Sequence, residues 1–315
     1  MNAKLSQNSN PPSLSGLPLL AVALFLILIW GSAYTMVGAA VRTLSPDWLV
    51  SYRMIVGAMV VLSYSYFVGH RLPPLRDRRW IWYFVMAITG ASLPFVLLAH
   101  GQKTVDSGLT AIIAGTMPLI TIILAHFFTS EKLTAWKFIG FLIGFAGIVV
   151  LFLPENLSLS LVADWKAQLL ILLAATFYAI TTILASRSPA TPSPIAAAMM
   201  LSLGAAMSTA WAASVAGPPP IPELTALLCA IGLGLGSTGA ATVIYLWLID
   251  EAGPSVVARI NYFLPLCSVF FGVTLMDEVL DWRIFVAFFM ILIGVIISRI
   301  DKQEKTPALS NPQAP

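Results

Sequence analysis

The sequence predicts an all-α polytopic membrane protein, with ten transmembrane helices forming two inverted five-helix repeats around a central cavity. Three observations carry the prediction: a composition that water could not solvate, ten apolar runs of membrane-crossing length, and punctuating residues that recur at a fixed spacing.

Of the 315 residues, 58% are hydrophobic and only 10% are charged, and the mean hydropathy is +0.89. A soluble domain carries roughly a quarter charged residues, so this chain could not cover its own core with polar surface. In lipid the demand reverses and apolar side chains face outward. A net charge of +3, spread over connectors, gives no basic face for nucleic acid. Cys229 and Cys267 both lie inside apolar runs, where they read as small buried hydrophobes and not as a disulfide framework.

A bilayer core about 30 Å thick needs about 20 helical residues, since unpaired backbone groups cannot be left in hydrocarbon. That ruler marks ten runs: 17–41, 48–69, 80–101, 107–128, 134–153, 166–186, 194–216, 222–249, 254–276 and 282–300. The first is too long for a signal-peptide core and lacks a strongly basic leader, so it reads as a retained span. Breakers and charges separate the runs: Ser45-Pro46-Asp47, Arg71-Leu72-Pro73-Pro74, Ser130-Glu131-Lys132, Pro154-Glu155-Asn156 and Gly217-Pro218-Pro219-Pro220. The polar tails, 1–16 and 301–315, are expected to be disordered. No connector is long enough for a soluble domain, so any activity belongs to the helices or very short loops.

Orientation follows from the basic residues. With the amino terminus cytoplasmic, the inner segments hold Lys4, the four arginines 71, 76, 78 and 79, Lys132, Lys137, Arg187, Arg299, Lys302 and Lys305. The outer loops hold only Arg42, Lys103, Lys166 and Arg283. Both termini are therefore expected inside, as an even number of spans requires.

The recurrence has an offset of 147 residues: Pro118 falls on Pro265, Glu131 on Glu278 and Gly147 on Gly294. It divides the chain into a first repeat at 17–153 and a second at 166–300. Each half holds five spans, and five is odd, so the halves enter the membrane from opposite sides. Inverted repeats of this kind recur among secondary transporters, with a site near the bilayer midplane between the halves.

Trp30-Gly31-Ser32, Pro46 with Arg53 seven residues on, and Ser107-Gly108-Leu109-Thr110-Ala111 leading to Pro118 and Glu131 form a recognisable set. The second half answers with Gly253-Pro254-Ser255 through Ala258, Pro265 and Glu278. In these residues the chain resembles the EamA-type members of the drug/metabolite transporter superfamily, and among them the bacterial ten-span exporters of aromatic amino acids. The resemblance spans about residues 17–300. It implies two five-span bundles, a cavity lined mainly by spans three, four, eight and nine, export of amino acids or similar metabolites, and a bacterial cytoplasmic membrane. Two departures touch the gating geometry: Phe177-Tyr178 stands where the first half has Trp30-Gly31, and no proline follows Asp277-Glu278.

Every acid lies in a loop, a tail or within about a turn of a span end. Ion-coupled carriers usually need an intramembrane carboxylate or an equivalent relay, so the sequence leans toward facilitated or weakly coupled transport. Two cations, Arg53 and Arg259, lie about five residues into their spans, roughly 8 Å deep at ~1.5 Å per residue. Snorkelling or a structural pairing accounts for Arg53. Arg259, followed by Asn261 and Tyr262, is the better candidate for a carboxylate-bearing solute.

Trp30, Ser92, Thr116, Tyr178, Ser237 and Thr238, near mid-span, are the remaining candidates for a substrate cavity. Pro94, Pro118 and Pro265 fall inside spans and are expected to be hinges that shape it. Residues 234–239 spell G-x-G-x-x-G, but no strand precedes them, so close helix packing is the expected reading and not a dinucleotide site. His100 and His126 are span-end residues without apparent partner ligands, and no metal or cofactor is expected. An intramembrane lipid-modifying enzyme would need Asp, His or Ser clustered at one depth, which the distribution of acids disfavours. The expected partners are a small-molecule substrate and the lipid bilayer, with the chain acting as a monomer.

Overall fold

The structure, a computed structural model, describes residues 17–128, 133–152, 165–252, 257, 260, 261, 263–279 and 282–298. The two tails expected to be disordered lie outside the described residues, as do Glu131, Arg259 and Tyr262.

The described chain is helical throughout. In order, the helices are α1 (Leu17–Ala40), α2 (Pro46–Phe67), α3 (Arg79–Ala87), α4 (Leu93–Gly101), α5 (Ser107–Ala114), α6 (Met117–Phe128), α7 (Ala135–Phe152), α8 (Trp165–Ala185), α9 (Ser193–Ala216), α10 (Leu224–Leu233), α11 (Ala241–Ala252), α12 (Leu264–Met276) and α13 (Trp282–Ile297). A π-helical segment, Ile88–Ser92, joins α3 to α4, and a second, Gly234–Ala240, joins α10 to α11. Among the described residues seven helical runs are long and apolar enough to cross a membrane, and three shorter apolar helices accompany them.

Local chemistry sets the boundaries. Ser45 caps α2 by accepting from the Trp48 amide at 3.4 Å, and Pro46 occupies the first turn, where no donor is missed. Pro94, Pro118 and Pro265 each sit in the first turn of a helical segment, α4, α6 and α12. Each lacks the amide that would bond back to the preceding turn, and an irregularity lies just before two of them: a π segment in the third run and the turn at Gly115-Thr116 in the fourth. Moving 88–92 on by 147 residues gives 235–239, inside the second π segment.

Small residues let the helices approach. A Cβ on Gly140 of α7 would lie 2.2 Å from the Gly294 carbonyl oxygen of α13, and one on Gly294 would lie 2.4 Å from that of Gly140. Gly147 meets the Ala287 carbonyl oxygen at 3.0 Å from the same imagined atom. Shifting the pair 140 and 294 by 147 residues turns it into 287 and 147, so the two crossings are partners under the sequence offset. The G-x-G-x-x-G glycines serve the same purpose: a Cβ on Gly234 would meet Val56 Cβ at 2.5 Å, and Gly239 abuts Gly57. With no lipid-excluding force between helices, such close packing is the main source of cohesion.

Candidate functional site

A cavity of about 180 Å³ lies among the helices. Its wall draws on α1, α2, α5, α6, α8, α9, α11 and α12 and on both π-broken runs, and on neither α7 nor α13. Seven pairs of wall positions are related by the same offset, among them Tyr34 with Thr181, Arg53 with Met200, Gly90 with Ser237, and Phe95 with Thr242. Leu98 pairs likewise with Tyr245, Ala114 with Asn261, and Met117 with Leu264.

Of the residues expected at the cavity, Trp30, Tyr178, Ser237 and Asn261 are on its wall, together with Pro118. Trp30 stands edge-on to Tyr245 at 6.1 Å between ring centres, and its indole N–H points to the Ser237 carbonyl at 3.4 Å. Tyr178 meets Phe95 edge-on at 6.4 Å. Asn261 Nδ2 approaches the Met117 sulfur at 3.9 Å.

Three expected lining residues turn elsewhere. Ser92 donates to the Gly204 carbonyl at 3.3 Å, tying the first π segment to α9. Thr116 is fully buried and returns its hydroxyl to the Ile113 carbonyl at 2.7 Å, closing the turn between α5 and α6. Thr238 is also fully buried and stands behind the wall as a partner of Arg53. The common reason is local: a helical Ser or Thr hydroxyl finds a nearby acceptor and need not face a cavity. Pro94 and Pro265 are buried off the wall. Arg259 and Tyr262 lie outside the described residues.

Arg53 is a charged wall residue that the sequence reading did not place at the cavity. It is 6% exposed, lines the cavity, and does not snorkel. Nε donates to Thr238 Oγ1 at 3.0 Å and Nη2 to Ser237 Oγ at 3.1 Å, while Cζ lies 3.9 Å from the Phe95 ring centre. This is the pairing alternative, made with hydroxyls and an aromatic face in place of a carboxylate. Tyr34, four residues after Trp30, also lines the wall, and that spacing on one helix face was the signal that would have found it. Gln102 lines the wall too, donating Nε2 to the Tyr34 carbonyl at 2.9 Å while its Oε1 is buried without a partner.

At one end of the bundle polar contacts join distant parts of the chain. Glu278 Oε1 accepts from the Ser107 amide at 2.7 Å and Oε2 from the Gly108 amide at 3.1 Å, capping α5. Asp277 makes this possible by adopting φ 55° and ψ 33°, which ends α12 and turns the chain back. An aspartate tolerates that left-handed conformation better than most residues. Nearby, Asp47 accepts from Trp211 Nε1 at 2.8 Å and pairs with His100 Nε2 at 3.2 Å. His100 therefore has a partner the sequence did not suggest. Among the described residues no group of three His, Cys, Asp or Glu could hold a metal.

Known proteins match this pattern. The EamA-like transporter family matches residues 17–153 and again 165–300. The chain is 28% identical over 297 residues to the Uncharacterized inner membrane transporter YedA of Escherichia coli (strain K12), covering 91% of this chain and 92% of that one. It is 24% identical over 274 residues to the Uncharacterized transporter YoaV of Bacillus subtilis (strain 168), covering 86% and 93%. A solved structure described only as "Crystal structure of protein" shares the fold, with a TM-score of 0.64 at 19% identity over 92% of this chain and 100% of that chain. Matched twice along its length, the chain belongs to the EamA-like transporter family and is a multi-pass membrane transporter.

Proposed function

We propose that the chain is a ten-span carrier of two inverted five-helix repeats, 17–153 and 166–300, which exports amino acids or related small metabolites by alternating access. The observation that carries this reading is the pairing of cavity-wall positions across the 147-residue offset, Arg53 with Met200 and Leu98 with Tyr245 among them. A site built from equivalent positions of two repeats is one that either half can expose as the pair rocks. The offset π segments and the paired crossings of α7 with α13 support the same symmetry.

The excess of Lys and Arg in alternate connectors supports both termini cytoplasmic, and the name of the Escherichia coli relative supports an inner membrane. In that orientation the Glu278 cap and the Asp47–His100–Trp211 contacts lie at the outer end and tie the helices together there. The cavity wall is mostly apolar and aromatic around a few polar groups, which suits amino acids with apolar or aromatic side chains. The family's wider range of drugs and other metabolites is the second reading. Within the carrier, Trp30, Tyr178, Ser237 and Asn261 contact the solute, and Pro118 shapes the wall.

Counterflow of radiolabelled amino acids into proteoliposomes, with and without a proton gradient, tests the proposal. Saturable flux above protein-free liposomes is expected for apolar amino acids or their close derivatives, with little dependence on the gradient. A several-fold gradient dependence would overturn uncoupled transport, and background flux across a broad panel would overturn the substrate class.

A further inference from the structure

The cavity has one charged group on its described wall, and it is a cation. Arg53 is held by two hydroxyls of the second π segment and by the Phe95 ring, and none of these is an anion. Among the described residues no carboxylate pairs with it, and neither Asp nor Glu lines the cavity. The position related to it by the repeat is Met200, also on the wall, so the charge has no counterpart at the equivalent position of the second half.

An ionised group in a low-dielectric interior is costly without a counter-charge, and at membrane depth such groups mark ligand pathways. Thr238 and Ser237 occupy two of the five N–H donors of the guanidinium and fix its plane. A carboxylate matches that fork and neutralises it. The remainder of the wall takes an apolar body: Trp30, Tyr34, Tyr178 and Tyr245 present aromatic surface. A volume of about 180 Å³ exceeds the ~150 Å³ of a cavity known to hold benzene, leaving room for a ring and a short acid arm.

An ammonium group fares worse. It would share a small apolar space with a guanidinium, where like charges repel strongly, and would find no anionic partner on the described wall. A monoanion leaves the filled cavity neutral, whereas a zwitterion leaves it with a net positive charge.

We propose that Arg53 is the specificity-determining residue of the cavity and that the site takes monoanionic carboxylates with an apolar or aromatic body, in preference to zwitterionic amino acids and amines. This rests on the reading of the cavity as the transport site and, among the metabolites that reading allows, ranks their carboxylate derivatives above the amino acids themselves.

Calorimetric titration of the full-length protein in nanodiscs, with four probes sharing a phenyl ring, tests it: 3-phenylpropionate, phenylalanine, 2-phenylethylamine and 3-phenyl-1-propanol. The acid should bind at least about tenfold more tightly than each of the others, a factor one charge-assisted contact supplies. Arg53→Gln should bring the acid level with the alcohol, and the milder Ser237→Ala should weaken the acid several-fold and the alcohol less. Equal or tighter binding of phenylalanine, the amine or the alcohol to the unaltered protein would overturn the proposal, with no variant needed. Retention of the acid preference in Arg53→Gln, or failure of all four probes to bind, would overturn it as well. Flux of the same probes in proteoliposomes separates the two readings. Acid-selective binding without flux would refute transport through the cavity and leave the anion site standing. Phenylalanine flux without any preference for the acid would do the reverse.

Discussion

Glu278 and Ser107, 171 residues apart, meet where the Glu278 carboxylate receives the Ser107 amide at 2.7 Å and so closes the first turn of α5. Gly272 makes room for it, since a Cβ there would lie 2.2 Å from Glu278 Oε2. A carboxylate on a helix amino terminus satisfies orphan amides and complements the helix dipole, worth about 1–2 kcal/mol. Glu278→Ala should therefore loosen this end of the bundle. In a background lacking Cys229 and Cys267, labelling of Ser107→Cys by a membrane-impermeant maleimide should rise several-fold when Glu278→Ala is added. Unchanged labelling would show that the cap does not hold this end shut.

The α7–α13 crossing should resist any added volume. Gly140→Ala places a methyl 2.2 Å from the Gly294 carbonyl oxygen, against rigid backbone, and should cost on the order of 1–3 kcal/mol by forcing the helices apart. Gly38→Ala is the control, because its nearest neighbour would be an ordinary 3.6 Å away. Thermal unfolding in detergent should show a fall of several degrees for the first and little change for the second.

Thr238 should matter for stability as well as for Arg53. Thr238→Val keeps the shape but leaves the Arg53 Nε donor buried without its partner, a loss of about 1–3 kcal/mol. Combined with Arg53→Gln, the two losses should not add, because one interaction is removed only once. Additive losses in a double-mutant cycle would separate the two residues.

Asp47 joins α2 to α4 through His100 and to α9 through Trp211. It is 7% exposed, and Asp47→Ala removes the acceptor of both contacts at once. Unfolding midpoints should fall more for this substitution than for Trp211→Phe, which removes only the 2.8 Å bond. Equal midpoints would place the stabilisation in the indole bond alone.

Much of the architecture was legible in the chain. Composition marks the membrane, and the 147-residue offset links positions that meet on one wall. Arg53 was not legible for a definite reason. Depth within a span says only that a long side chain could reach the interface, whereas its partners Ser237 and Thr238 lie 184 and 185 residues away. The hydroxyls of Ser92 and Thr116 misled because mid-span depth does not reveal which carbonyl a hydroxyl has already found. The π segments carry no periodic signature, and their contacts are with distant helices: the second meets α2 at Gly57 and the first meets α9 at Gly204.

The central claim is that solute crosses through the cavity between the two halves. Ala33, on the wall contributed by α1, is the place to block it, because Ala33→Trp adds a large ring to the wall and replaces neither Arg53 nor its partners Ser237 and Thr238. Radiolabelled counterflow in proteoliposomes should then fall to that of protein-free liposomes, while the variant stays monodisperse in detergent. Flux equal to that of the unaltered protein would contradict the account.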